Sequence, residues 1–362
     1  MSYAYYSAIT IDHTKVSADE TNFPIVVVET EVRFKTVANG GHIQNTDSNG
    51  GASGSLIVPA DLVFSPNTDG SSPYDFEIED YDASTGKLIA HVEIPSLSSS
   101  TDTTIYVVYG DSGVTTSQEY VAGVWDSNYK GVWHLSETSG THYDSTSNNC
   151  DGTNNGSTQN AAGKIAGGNE FDGSNDEINI ADLAALDITG AITIEAWVDP
   201  DSNSLNTVLS KGNQNFGAAG NYDYFLGVHT GVAFKGSNGS AHIVDLGGST
   251  TVTTGTWHHI AGAWDGTTGA NGIAVYLDGS NDGNGTATNT SLATTYAVRL
   301  GGEGSYSYSY DGHLDEVRIS NIVRDADWIS TTYNNQNSPS TFYTLGSEQS
   351  AGEAFVPRVV MF

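Results

Sequence analysis

The sequence predicts an all-β protein made of two antiparallel domains in tandem. Between Tyr5 and Gly110, short segments alternate apolar with polar residues and are separated by Gly, Asn, Asp and Pro. That spacing is the one expected of antiparallel strands joined by turns. The same alternation returns later, where Ile192, Ile194 and Ala196 interleave with Thr193, Glu195 and Trp197, as in a strand covered on both faces. With 362 residues, the chain can supply two sizeable cores.

Composition restricts the partners. The net charge of −31 comes from 43 acidic residues against 12 basic ones, so it reflects scarce Lys and Arg. A phosphate backbone needs a basic footprint, which excludes nucleic acid, and an anionic membrane surface is disfavoured for the same reason. The charge suits a solvated surface kept from self-association by repulsion. Cys150 is the single cysteine, which rules out an internal disulfide. No apolar run approaches membrane-spanning length, so no membrane insertion is expected. The opening MSYAYYSAITIDH lacks a basic start and an apolar signal core, so export by the usual signal route is not expected.

Taken in order, the first strands are expected in SAITIDH, FPIVVVETEVRF, SLIVPADLVF, YDFEIEDYD, KLIAHVEIP and TTIYVVYG. Asn22-Phe23-Pro24, Ala60 to Phe64, Phe76 to Tyr81 and Ile105 to Gly110 resemble an uncharacterised β-sandwich family often found in tandem with a lectin-like domain. The resemblance implies a sandwich over residues 1–115 and brings no activity with it. Residues 116–130 form a connector whose Val121, Val124 and Trp125 are expected at the interdomain seam.

The second domain is expected over residues 131–347. Its motifs are GVWHLSE with the following loop, Phe171 to Asp176, Ile192 to Trp197, TWHHIAGAWDG, AVYLDG and GHLDEVRIS. In this order they resemble the laminin-G-like jelly rolls of the concanavalin A-like lectin/glucanase superfamily. The fold class implied is therefore an N-terminal antiparallel β-sandwich followed by a laminin-G-like jelly-roll sandwich. One short helix is expected in RDADWISTTY, with Asp325 as N-cap. Residues 348–362 form an apolar tail, in which Phe355, Val356, Val359, Val360 and Phe362 are candidate anchor residues for an assembly.

Glucanases of the superfamily resembled use a strand with alternating carboxylates. Asp75, Glu77 and Glu79 have that spacing but not that order of residues, and they lie in the first domain, where an ordinary charged strand is expected. In the jelly roll, Glu195 lacks a second carboxylate two or four positions back, so no catalytic residues are assigned. Asp144, Asp172, Asp176 and Asp315 are candidate Ca²⁺ ligands, since hard oxygen donors from loops suit that ion and many laminin-G-like domains bind it. Asp-Gly pairs are equally ordinary turn residues, and both readings stand at this point. His258 and His259 alternate to opposite faces of their strand and cannot easily share one ion.

Tyr306, Tyr308 and Tyr310 alternate with Ser and are candidate glycan-stacking residues, with Tyr222 and Tyr224 as a smaller set. The resemblance implies a non-enzymatic structural or adhesion protein on the surface of an assembly, expected to be a virion. The two-domain tandem with an M-S-Y-x-Y-Y opening is similar to phage and environmental viral proteins. Its expected partners are other assembly proteins through the tail, in an oligomeric or assembly-bound state, and host-surface glycans. A glycosidase and an extracellular bacterial surface adhesin are the alternatives.

Overall fold

The computed structural model describes residues 2–212, 221–302, 304 and 308–351. The first domain packs two sheets face to face. One runs in the order Tyr343–Leu345, Tyr5–Ile11, Thr103–Tyr109, Leu62–Ser65, and the other in the order Phe23–Thr30, Lys87–Ile94, Phe76–Asp82. Alternation explains the packing: Ile9, Ile11, Ile105 and Val107 meet Phe23, Ile25, Val27, Ile78 and Val92 in one buried core. Two expectations shift locally. The end of FPIVVVETEVRF is a 3-10 turn at Val32–Phe34, and SLIVPADLVF divides into Leu56–Pro59 and Leu62–Ser65 in different sheets. The polar strand Thr46–Gly50, paired with Leu56–Pro59, carries no apolar alternation to announce it.

The second domain is a jelly roll of two eight-stranded sheets. One is centred on Ile192–Pro200, flanked by Asp311–Ser320 and His258–Trp264. The other contains Asn206–Gly212, Tyr222–His229 and Gly231–Ser237. Between them lie Trp133, Phe171, Ile192, Ile194, Ala196, Leu226, Phe234, Trp264 and Tyr310. In the turn after Phe171, Gly173 takes φ +72, a conformation that glycine adopts without steric cost.

The second domain does not close on itself near residue 347. After the helix Ala326–Asn337, capped by the Asp325 side chain accepting from the Trp328 N–H at 2.9 Å, the chain returns to the first domain. Tyr343–Leu345 pairs with Tyr5–Ile11, and Gln349–Ser350 extends that pairing, so the 131–347 unit and the start of the 348–362 segment are woven into the first domain. Two side chains then seal the exposed edge of Phe23–Thr30. Asn335 bonds both the N–H and C=O of Val26, and the Tyr343 hydroxyl does the same for Val28. An edge strand is thereby covered without another strand.

Candidate functional site

The domains meet through apolar contacts, such as Phe23 on Trp328 with ring centroids 4.7 Å apart, and through a buried polar cluster. On the first domain, Glu77 and His91 are cross-strand partners on the strands Phe76–Asp82 and Lys87–Ile94. The register slips between Ile78 and Asp80, which makes Glu79 the extra residue of a β-bulge. On the second domain, the strand Asp311–Ser320 carries its own bulge between Asp315 and Arg318, where Glu316 stands at φ +53. Bulges redirect side chains, and a non-glycine residue in the left-handed region costs on the order of 1–2 kcal/mol. Leu135, after His134, is likewise left-handed at φ +60. These departures from regular strand bring Glu77, Glu79, His91, His134 and Glu316 into one buried cluster.

His134 lies at its centre. Its Nδ1 is 2.5 Å from Glu316 Oε1 and its Nε2 is 3.4 Å from Glu77 Oε2. Its ring stacks on His91 with centroids 4.3 Å apart. His91 Nε2 is 2.9 Å from Glu79 Oε2 and 3.8 Å from Glu316 Oε1. Around this set, Trp125 Nε1 donates to Glu77 Oε2 at 3.0 Å and Ser145 Oγ donates to Glu77 Oε1 at 2.7 Å. Glu316 Oε2 accepts from Arg318 Nη2 at 2.5 Å and from Gln336 Nε2 at 3.2 Å. Trp125 arrives from the connector, Ser145 from the loop after His134, and Gln336 from the helix, so segments of both domains converge here.

Burial opposes charge on every member, and the neighbours decide which groups keep it. Burial alone would lower the pKa of His134, but Glu316 and Glu77 raise it well above the ordinary imidazole value. Against the pull of burial, His134 holds Glu77 low, and His134 with Arg318 holds Glu316 low. Glu79 goes the other way, raised by burial and by the charges of Glu316 and Glu77. Burial and the His134 charge lower His91 to about 3. The Glu79–His91 contact therefore joins neutral partners, while His134, charged, bridges two carboxylates. Glu79 Oε1 and His91 Nδ1 are buried with no hydrogen-bond partner.

A cavity of about 330 Å³ opens onto this cluster. The first domain contributes Gly51 to Ser53, Ser55, Leu56, Glu77, Ile78 and Glu79, and the second contributes His134, Ser136, Glu137, Thr138, Ser139 and Tyr143. Its lining offers hydroxyls, carboxylates and one half-buried tyrosine, with no Lys or Arg. Glu137 braces the second-domain loop, accepting from the Tyr143 N–H at 2.8 Å and standing 3.0 Å from His142 Nδ1.

The residues singled out from sequence fall elsewhere. Tyr310 is buried in the jelly-roll core and its hydroxyl donates to the His313 carbonyl. Tyr222 and Tyr224 are also buried, with Tyr222 Oη 2.6 Å from His242 Nδ1 and Tyr224 Oη donating to the Leu186 carbonyl. These three cannot form a stacking platform. Tyr308 packs beside Tyr222 and Phe225, and Tyr306 lies outside the described residues. The anchor candidates Phe355, Val356, Val359, Val360 and Phe362 also lie outside them.

Nor do the four aspartates assemble. Asp144 is consumed in ordering its loop, accepting from the N–H groups of Val132, Thr146 and Cys150 and from the Thr146 hydroxyl. Asp315 Oδ2 accepts from the N–H groups of Lys164 and Ile165. Only Asp172 and Asp176 meet, through the Asp172 N–H and Asp176 Oδ2 at 3.1 Å. The strand read as ordinary and charged is the one that matters, since Glu77 and Glu79 are buried at the seam.

This architecture defines an all-β protein with a lectin-like jelly roll packed on a second sandwich. Residues 172–330 match the sequence profile of the concanavalin A-like lectin/glucanases superfamily, so the second domain is a concanavalin A-like domain. No curated protein sequence matches the chain. Among solved structures, it is similar to the binding domain of Paraclostridial Mosquitocidal Protein 1, at 12% identity and TM-score 0.46, over 57% of this chain and 52% of that one. Domain 4 of the arabinanase AbnA from Geobacillus stearothermophilus is similar at 17% identity and TM-score 0.40, over 57% of this chain and 98% of that one. The CBM40 of the Ruminococcus gnavus IT-sialidase is similar at 19% identity and TM-score 0.35, over 41% and 86%. The chain thus spans about half of the first of these structures.

Proposed function

We propose that the protein is a non-catalytic binding module, carried on the outside of an assembly such as a virion, that holds a neutral sugar in the interdomain cavity. The cavity lining carries this reading. Ser53, Ser55, Ser136, Thr138 and Ser139 can exchange hydrogen bonds with sugar hydroxyls, and Tyr143 offers an apolar ring face. The lining sets Glu77, Glu79 and Glu137 against a single imidazole, His134, and holds no Lys or Arg, which disfavours an acidic sugar. Hydrolysis would need a free nucleophilic carboxylate opposite an acid. Glu77 is instead held at both oxygens by Ser145, Trp125 and His134, which supports the non-catalytic reading. The acidic surface and the apolar tail Phe355 to Phe362 suit a displayed subunit that joins its assembly by one end.

A glycan array comparing wild type with Tyr143→Ala and Ser136→Ala tests the cavity. Neutral glycans should bind wild type and lose at least tenfold in signal with Tyr143→Ala. Equal signals from all three proteins, or a preference for sialylated glycans, would sink the assignment. Sugar release from a bound polysaccharide that stops in Glu79→Gln would overturn the non-catalytic reading. Deleting the last eight residues should abolish incorporation into the assembly; unchanged incorporation removes the anchor.

A further inference from the structure

We infer that the interdomain cluster is a metal site, in which Glu79, His91, His134 and Glu316 hold one divalent transition ion of the zinc type and clasp the two domains together. One donor atom from each of the four residues lies within 4.8 Å of all the others, so an ion at their centre needs only small side-chain adjustments. Two imidazoles and two carboxylates are a borderline donor set, suited to zinc and its neighbours and not to calcium, which takes six to eight oxygens.

The surroundings resemble those of a built site. In such sites a ligating histidine passes its second ring nitrogen to a carboxylate or carbonyl, fixing tautomer and orientation. His134 presents Nδ1 to the centre and Nε2 to Glu77, and Glu77 is itself fixed by Trp125 and Ser145. Glu316 presents Oε1 to the centre while Oε2 is held by Arg318 and Gln336. Binding an ion would displace the protons on His134 and Glu79, after which Glu77, Glu79 and Glu316 would face Arg318 and the ion together.

As a hydrogen-bond network the cluster is incomplete, because Glu79 Oε1 is buried and unpartnered. Buried polar atoms are seldom left so. Both carboxylate ligands sit on β-bulges, Glu316 with its backbone in the left-handed region, and such departures gather at functional sites. Glu79 and His134 line the cavity, which gives an ion a path from solvent. Each domain supplies two ligands, so neither half has the site alone.

The test uses the full chain, stripped with EDTA and then freed of chelator. Titration with ZnCl₂, followed by calorimetry, should show one equivalent per chain. At a hundredfold excess over Kd, Tm should rise by about 5 °C. His91→Ala and Glu79→Gln should abolish the equivalent, and Glu77→Gln should weaken it by roughly 10- to 100-fold. His13→Ala, in the exposed Asp12–His13–Asp102 group, should change nothing. An anomalous difference map of zinc-soaked wild-type crystals should place the ion among the four residues, a readout that does not depend on any variant folding. No stoichiometric zinc binding by wild type, zinc located elsewhere, or displacement of zinc by equimolar CaCl₂ would each overturn the proposal.

Discussion

Replacing Glu316 with Ala should destabilise both domains together, and the amount follows from what its carboxylate serves. Oε1 accepts from His134, and Oε2 accepts from Arg318 and Gln336. Without it, Arg318 stays buried beside the Trp125 ring face, 4.8 Å away, and within reach of the Glu195 charge, but has lost the carboxylate bonded to its Nη2, and its Nε already lacks a hydrogen-bond partner. Breaking a buried pair from one side costs about 3–5 kcal/mol. At roughly 2 °C per kcal/mol, that is a fall in Tm of some 6–10 °C. Ala keeps the left-handed strain at this position, whereas Glu316→Gly relieves it and should recover about 1 kcal/mol. The assay is urea unfolding in EDTA, followed by far-UV circular dichroism for the whole chain and by tryptophan fluorescence for the second domain. Both probes should report one transition, displaced equally. A loss below about 1 kcal/mol, or a dichroism transition that splits to leave the first domain unmoved, would refute the view that this buried cluster is shared by both domains.

Asn335→Ala leaves the Val26 N–H and C=O without their side-chain partner and should cost about 2 kcal/mol. Amide exchange along Phe23–Thr30 should quicken; unchanged exchange means the edge is protected by something else. Burial raises Glu119, which accepts from the N–H of Ile78, from an ordinary 4.5 to about 7. A raised folded-state pKa gives stability that is full below about 4.5 and is lost as pH rises through 7. Stability should therefore fall by on the order of 3 kcal/mol across that window, and Glu119→Gln should flatten the profile. An equally steep profile in the variant would clear Glu119. Of the four candidate calcium ligands, only Asp172 and Asp176 meet. Asp176→Asn should remove any rise in Tm produced by CaCl₂ while His91→Ala leaves it intact, and no rise in wild type removes calcium from the protein.

The jelly roll was legible because its signals are local. The turn beginning at Phe171 and the alternation of Ile192, Ile194 and Ala196 are set by neighbours in sequence, and they reappear as a strand end and a core face. Alternation reports that a residue has two faces around it, not what covers each. Tyr310 therefore read as a surface phenol although the second domain's core encloses it. Glu77 and Glu79 read as an ordinary charged strand for the complementary reason, because the residues that cover them, Trp125, His134 and Glu316, come from distant segments. Both bulges also break the period-two rule at the very residues they redirect. The pairing of Glu77 with His91 across neighbouring strands was the one signal within the first domain that could have been noticed.

The polar cluster is an expensive addition to a seam that also has apolar contacts such as Phe23 on Trp328, since apolar residues of the same size would be at least as stable. Its advantage is selectivity of docking. Apolar faces tolerate sliding, whereas the donors and acceptors around His134 and Glu316 are satisfied in one alignment only. The cavity draws its walls from both domains, so its shape exists only in that alignment. The chain links the domains twice, by the connector carrying Trp125 and by the return of Tyr343–Leu345 to Tyr5–Ile11. A ligand entering such a cavity meets walls already in place and loses little free energy to ordering them. The cluster at the seam thus also helps to give the interdomain cavity its form.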